Sequence, residues 1–134
     1  MRIAALALPL LLLLPVPAMA GPPPPTGRWA NPRHTIEVST GSCGQDRMCG
    51  RIVWADATAL ADARAAKVDS LIGTELLQDY RAEANGEWSG RVYVPDMGRS
   101  FASHIRQTAP DELTIAGCLI GHWLCKSQVW HRVG

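Results

Sequence analysis

Residues 88–107, WSGRVYVPDMGRSFASHIRQ, contain two runs of alternating apolar and polar residues on either side of a turn. Val92 and Val94 alternate with polar residues in the first run, and Phe101, Ser103 and Ile105 alternate with Ala102, His104 and Arg106 in the second. Between the runs, Pro95 stands early and Gly98 late, which favours a tight turn. Because a period of two is typical of half-buried strands, the stretch predicts a β-hairpin.

The same pattern continues along the chain and predicts about eight short strands. They lie near residues 27–31, 34–39, 49–55, 73–81, 87–94, 99–107, 112–120 and 127–133. The alanine-rich segment 55–67 does not fit and predicts a short helix or an ordered loop. The fold class that follows is all-β, an antiparallel up-and-down barrel of about eight strands. The interior of a barrel of this size is either filled by side chains or holds one small ligand.

The two ends of this domain support closure of the barrel. Gly27 and Trp29 begin the first predicted strand, and Arg132 lies in the last one. This arrangement resembles the lipocalin and wider calycin pattern, in which a Gly-x-Trp packs under an arginine of the final strand. A guanidinium over an indole gains a cation–π contact, so Trp29 and Arg132 are expected to seal one end of the barrel.

The first twenty residues have the order of regions found in a secretory signal peptide. One basic residue, Arg2, precedes an apolar run over residues 3–14 that is too short to span a bilayer comfortably. Ala18 and Ala20 supply the small-x-small pattern of a cleavage site. We therefore predict a signal peptide over 1–20, a proline-rich spacer over 21–26 and a barrel domain over 27–134, in a protein that is periplasmic or secreted.

Charge excludes several classes of partner. Removal of Arg2 with the signal peptide leaves twelve basic and twelve acidic residues, without a basic cluster. A neutral chain of this kind gives no electrostatic case for binding nucleic acid. No later stretch is apolar enough to cross a membrane, so no integral membrane segment is expected in the mature chain.

Four cysteines occur, and an even number in a small exported chain favours disulfides. Of three possible pairings, proximity in sequence favours Cys43 with Cys49 and Cys118 with Cys125. A metal site would combine Cys118, His122 and Cys125 with a cysteine of the other pair, but zinc ligands are usually closer together. A redox site would need a Cys-x-x-Cys motif, which the chain lacks.

Catalytic patterns are scarce. No histidine stands at a motif spacing from a carboxylate or a nucleophile, and no nucleophile elbow, phosphate loop or dinucleotide fingerprint occurs. The sequence therefore predicts a protein that is not an enzyme and that carries no cofactor or metal.

Tryptophan is abundant, with five residues against a single phenylalanine. Inside a barrel these rings either fill the core or line a cavity for an apolar ligand. The candidate ligand-binding residues are Trp54, Tyr93, Phe101, Ile105 and Ile115. The first hypothesis is a module that binds a small hydrophobic or amphipathic ligand. The alternative is a filled, non-catalytic barrel that docks onto an envelope protein through an exposed apolar patch.

Four blocks of the chain resemble the DUF2147 family of small secreted bacterial proteins. They are SCGQDRMCGRIVWA (42–55), LIGTELL (71–77), WSGRVYVPDMGRSF (88–101) and LTIAGCLIGHWLCKSQVWHR (113–132). The resemblance implies a lipocalin-like barrel, sometimes with the same two cysteine pairs. It implies no activity, since the family is one of unknown function.

Overall fold

The computed structural model describes residues 3–16, 23–118 and 125–134, and it contains eight strands and one helix in this part of the chain. The elements are β1 (Gly27–Ala30), β2 (Ile36–Gly44), β3 (Arg47–Ala55), α1 (Ala57–Ala65), β4 (Glu75–Ala82), β5 (Trp88–Val94), β6 (Arg99–Ala109), β7 (Glu112–Cys118) and β8 (Cys125–Arg132). All strand pairs are antiparallel, and the strands close into a barrel in chain order. The predicted fold class is confirmed.

The chain order divides the connections between two ends of the barrel. At the helix end lie residues 31–35, the connection that contains α1, and the turn 95–98 between β5 and β6. At the termini end lie the start of β1, the end of β8 and the three short turns after β2, β4 and β6. The predicted helical segment is α1, whose N-terminus is capped by the Asp56 carboxylate accepting from the Ala59 amide at 2.8 Å.

The hairpin of β2 and β3 is longer than the sequence predicts. The predicted strands stop at residue 39 and resume at 49, whereas β2 continues to Gly44 and β3 starts at Arg47. Only Gln45 and Asp46 turn the chain, with Asp46 in the left-handed region at φ 57°. The polar residues at the end of this hairpin belong to paired strands, because the outward face of a strand accommodates polar side chains. Residues 119–120 of the seventh predicted strand lie outside the described residues.

Inward-facing side chains fill the middle of the barrel. The cluster contains three of the five tryptophans and the following other residues: Val38, Met48, Ile52, Leu76, Leu77, Tyr80, Ile105, Leu113 and Ile115. Gly90 allows the Tyr80 ring to approach the backbone of β5, because a Cβ atom at this position would lie 2.6 Å from Tyr80 Cγ. The three tryptophans Trp29, Trp88 and Trp130 therefore belong to the core.

The termini end is closed by the last residues of the chain. The Arg132 guanidinium carbon lies 4.3 Å from the centroid of the Trp29 ring, as the sequence pattern predicts. The same guanidinium donates to the carbonyls of Thr26 and Pro110, each at 3.0 Å. Gly27 makes this approach possible, since a Cβ there would lie 2.1 Å from Arg132 Nη1. The glycine, the tryptophan and the arginine thus form one packed unit.

The residues before β1 also pack on the barrel. Pro25 is buried, and its carbonyl accepts a hydrogen bond of 2.6 Å from Thr40 Oγ1. Thr40 in turn accepts from the Trp29 indole N–H at 2.9 Å. The end of the predicted spacer is therefore held against the termini end. Residues 3–16 are exposed and form neither helix nor strand.

Two disulfides are present, and both pairs are those that proximity favours. Cys43–Cys49 joins β2 to β3 near the termini end, and Cys118–Cys125 joins β7 to β8 near the helix end. The prediction of disulfide bonds is confirmed.

None of the helices formed by the described residues has the length and apolar character needed to cross a bilayer.

Candidate functional site

A cavity of about 280 Å³ opens toward the helix end of the barrel, between β4 and β8. Twelve of the described residues line it: Leu76, Leu77, Val92, Tyr93, Val94, Pro95, Phe101, Ile115, Gly117, Lys126, Gln128 and Trp130. Cavities that bind small molecules usually measure about 300–1,000 Å³, so this one lies just below that range. At about 30 Å³ for each water-sized group, it holds a chain of roughly nine such groups.

The two sides of the cavity differ in chemistry. On the side of β4, β5 and β6, the lining is apolar, with Leu77, Val92 and Phe101 facing the space. On the side of β8, Lys126 and Gln128 face it. These two residues pair with Gly117 and Ile115 of β7, which also line the cavity, so all four lie on the inner face of the sheet.

Lys126 and Gln128 are exposed although they face inward. The reason lies in the short contact between the first and last strands. Among the described residues, β1 pairs with β8 through Trp29 with Arg132 and Ala30 with His131, and Arg28 adds backbone hydrogen bonds of 2.8 Å with Val133 and Gly134. All of these contacts lie at the termini end, so no described strand pairs with the first half of β8 on its β1 side.

Gln128 is oriented by its neighbour. Its side-chain Oε1 accepts a hydrogen bond of 2.9 Å from the Trp130 indole N–H. The amide nitrogen of Gln128 consequently keeps its two N–H groups for other acceptors. The polar groups that Lys126 and Gln128 present to the cavity are thus mainly donors.

Three of the five predicted ligand-binding residues meet in this cavity. Tyr93, Phe101 and Ile115 line it. Ile105 does not; it is completely buried beneath the cavity, where it pairs with Trp88 and Ile115. The disagreement arises because alternation identifies the inner face of a strand but not the level along it at which a cavity ends.

Trp54 lies on the outside of the barrel, and its prediction as a lining residue is not supported. A bulge sets Glu37 opposite Trp54 and Val38 opposite Ile52, so Val53 is an extra residue in β3. One extra residue moves each following side chain to the other face of the sheet. Trp54 is 37 % exposed, and its ring centroid lies 5.2 Å from that of His34.

Sequence reasoning missed Lys126 and Gln128. Their spacing to Trp130 is a period of two, which marks them as members of one strand face. The predicted last strand began at residue 127, however, and polar residues at alternate positions are usually assigned to the solvent face. In the structure both residues lie on the inner face, at the part of β8 that β1 does not pair with. This position depends on the tertiary structure and is not visible in the sequence.

A second recess of about 250 Å³ adjoins the cavity at the helix end. It lies between α1, residues 33–36 and the turn after β5, and it shares Leu76 and Pro95 with the cavity. Its charged lining residues are Arg33, Asp62 and Asp96. Because its lining is partly polar, we describe this recess as part of the entrance to the barrel and not as part of the apolar cavity inside it.

A charged cluster covers the outer face of β1 and β2. Glu37 accepts from Arg28 Nε at 2.5 Å and meets His34 Nε2 at 2.6 Å. The hydrogen bond with His34, followed by that with Arg28, lowers the pKa of Glu37, although burial of the carboxylate opposes the shift. The arrangement fixes residues 31–35 to the barrel.

A serine, a histidine and a glutamate meet on the outer face of β5 and β6. Ser89 Oγ lies 2.8 Å from His104 Nδ1, and Glu87 lies 3.8 Å from the same nitrogen. A catalytic triad needs the two partners on opposite ring nitrogens, so this geometry does not activate the serine. Glu87 is instead paired with Arg106 at 3.0 Å, a contact that lowers the pKa of the glutamate.

The Tyr80 hydroxyl is buried without a hydrogen-bond partner among the described residues. Burial raises the pKa of this phenol to about 12, and the nearby Ser103 hydroxyl opposes the shift more weakly. Ser103 donates its own proton to the Ala116 carbonyl at 2.8 Å. Tyr80 is completely buried in the core cluster and is not among the described residues that line the cavity.

In the part of the chain that the structure describes, no three His, Cys, Asp or Glu side chains converge as a metal site. His122 and Trp123 lie outside the described residues, so the structure says nothing of their positions.

Comparison with known proteins gives one match. The sequence model of a family described as an uncharacterized protein conserved in bacteria (DUF2147) matches residues 27–132. No curated protein and no solved structure shows a significant match.

Proposed function

The chain belongs to the DUF2147 family, whose description assigns no activity, and we propose from the geometry of the barrel that it is an exported module that binds a small hydrophobic or amphipathic molecule. The single observation that carries this proposal is the apolar cavity of about 280 Å³ lined by Tyr93, Phe101 and Ile115. Barrels of eight strands commonly hold one small ligand in this position.

The proposal is one of binding without catalysis. The described polar side chains around the cavity are Tyr93, Lys126 and Gln128, with no carboxylate or histidine against them. General acid–base work requires a group that gains and loses a proton near neutral pH within reach of the substrate. The lining offers contact and orientation, and these suffice for a carrier.

Export is proposed on two grounds. Residues 1–20 have the regions of a secretory signal peptide, and both cysteine pairs form disulfides. Disulfides persist in oxidising compartments such as the bacterial periplasm and are rare in the cytosol. A periplasmic or secreted location is consistent with both features.

The alternative of a filled barrel that docks onto an envelope protein has less support. It predicts a barrel without internal space, whereas the helix end contains a cavity. Its best feature is the exposed pair of Val53 and Trp54 on the outer face of β3, at 40 % and 37 % exposure. Two adjacent residues form a smaller patch than most protein interfaces need.

The experiment that tests the proposal is thermal unfolding in the presence of 1-octanol. A ligand that binds only the folded state raises the free energy of unfolding by about 2.7 kcal/mol at a hundred times its Kd. We expect the melting temperature of the wild type to rise with 1-octanol and to saturate. No rise would overturn the proposal.

Two glycine variants provide a matched pair for this experiment. Gly117→Leu places a side chain into the cavity, and a Cβ there is in ordinary contact, 3.6 Å from Val92. Gly41→Leu makes the same change at a position with open space and no place in the cavity lining. The Gly117 variant should lose the response to 1-octanol, and the Gly41 variant should keep it.

A further inference from the structure

We propose that the ligand of this barrel carries an oxyanion head group, such as a carboxylate, which Lys126 and Gln128 bind at the β8 side of the cavity. The inference rests on the proposed function, because it names the class of ligand for the same cavity.

The first step of the argument is the charge of the lining. Among the twelve described residues that line the cavity, Lys126 carries a charge and none is a carboxylate. The backbone of Lys126 pairs with Gly117, and no hydrogen bond or ion pair joins the Lys126 side chain to another described residue. An ammonium group that lines an apolar space without a counter-charge favours an anion there.

The second step is the presence of a second donor on the same strand face. Gln128 is two residues from Lys126 in β8, on the inner face. Its oxygen is occupied by the Trp130 indole, so the amide presents N–H groups. Lys126 and Gln128 can therefore donate to two oxygens of one head group, and a charge-assisted bond of this kind is about twice as strong as a neutral one.

The third step is the polarity of the cavity as a whole. The donors stand on β8, where Lys126 and Gln128 are exposed, and the apolar lining of β4 to β6 stands opposite. An amphipathic molecule fits this distribution in one orientation, with its head beside Lys126 and its tail against Leu77, Val92 and Phe101.

The test compares four probes with the same apolar chain by isothermal titration calorimetry at pH 7 and low ionic strength: 1-octanol, octanoate, octyl sulfate and octylammonium. For the wild type we expect at least one anion to bind about tenfold more tightly than 1-octanol, and octylammonium to bind more weakly than 1-octanol. Binding of octanoate alone, or of octyl sulfate alone, would identify the head group. Equal affinity of both anions and 1-octanol would overturn the inference.

Two variants assign the preference to Lys126. Lys126→Met retains a long apolar stem and removes the charge, so the affinity for the anion should fall about tenfold while that for 1-octanol stays within about twofold. Lys126→Glu should reverse the preference toward octylammonium. Arg64→Met is the control, since Arg64 is a basic residue of α1 that lines neither the cavity nor the second recess.

The outcomes separate this inference from the proposed function. If 1-octanol binds and Gly117→Leu abolishes its binding, the cavity is a ligand site whatever the charge preference. If the anions then show no advantage, or if Lys126→Met keeps the advantage, the role of Lys126 is refuted and the binding function stands. If none of the four probes binds, both proposals fail.

Discussion

Arg132 lies over the face of Trp29, with its guanidinium carbon 4.3 Å from the ring centroid, and so ties the end of the last strand to the first strand. Among the described residues, the seam between β1 and β8 consists of two residue pairs, Trp29 with Arg132 and Ala30 with His131, and of two backbone hydrogen bonds of 2.8 Å that join Arg28 to Val133 and Gly134. A contact that holds this narrow seam has a large effect on the fold, because the remaining strand pairs form between neighbours in the chain.

We predict that Arg132→Ala destabilises the protein by about 1–3 kcal/mol, since it removes the cation–π contact and the bonds to two carbonyls. Urea unfolding followed by tryptophan fluorescence measures the change. The control is Arg64→Ala, an exposed change for which we expect less than about 0.5 kcal/mol. Equal effects of the two variants would contradict the closing role of Arg132.

Gly27→Ala should act on the same contact. A Cβ at residue 27 would lie 2.1 Å from Arg132 Nη1, so the arginine has to move from its place over Trp29. Gly27→Ala and Arg132→Ala break the same interaction, so the double variant should lose less free energy of unfolding than the sum of the losses in the two single variants. Additive losses in the double-mutant cycle would show that the two residues act separately.

The disulfides should each contribute about 2 to 2.5 kcal/mol, because both close short loops in the unfolded chain, with sequence separations of 6 and 7. We expect paired Cys→Ser variants to lower the free energy of unfolding by similar amounts. In mass spectrometry the intact chain should be about four hydrogens lighter than its reduced form. Free thiols in the protein as isolated would contradict the pairing.

Stability at acidic pH should depend on Glu37. The pKa of this carboxyl group is lowered in the folded state, first by His34 and then by Arg28, so its contribution is present above the unfolded pKa near 4.5. That contribution is lost as the pH falls through the lowered folded value. The wild type should therefore lose more stability below pH 4.5 than Glu37→Gln does, as unfolding measured at several pH values would show. Parallel curves would refute the assignment.

Tyr80→Phe should be neutral at pH 7 or stabilise the protein by up to about 1 kcal/mol, because it removes a buried hydroxyl that lacks a partner in the described structure. Burial raises the pKa of Tyr80 from 10.0 to about 12. Above pH 10 the unfolded state releases this proton more readily than the folded state, so the stability of the wild type falls as the pH rises.

The phenylalanine variant should lose less stability than the wild type between pH 10 and 12. Urea unfolding at pH 7 and at alkaline pH measures both effects. A loss of more than about 1 kcal/mol at pH 7 would show that the hydroxyl has a partner.

The sequence predicted the barrel well because its signals are local. Alternating residues such as Val92 and Val94 set the faces of β5, and a proline and a glycine set the turn that follows. The family resemblance pointed to the same fold and is confirmed over residues 27–132. The lengths of β2 and β3 were underestimated, because the polar sequence around Cys43 and Cys49 is typical of a loop. In the structure these residues are paired in the sheet and joined by a disulfide.

The site was predicted only in part, for two physical reasons. The bulge at Val53 turns Trp54 outward, and a single extra residue leaves no clear trace in the alternation. The inward position of Lys126 depends on how far β1 extends along β8, which is a property of the assembled barrel. Phe101 and Ile115 followed from alternation alone, because their strands are regular at these positions.

The most direct test of the cavity as a binding site is an NMR titration of the methyl groups with 1-octanol. We predict saturable shifts for the methyl signals of Leu77, Val92 and Ile115, which line the cavity, and contacts between these methyls and the chain of the ligand. The methyl signals of Val53 on the outer face should not move. Shifts confined to Val53 and its surroundings, or no saturable shift at any lining residue, would contradict the account.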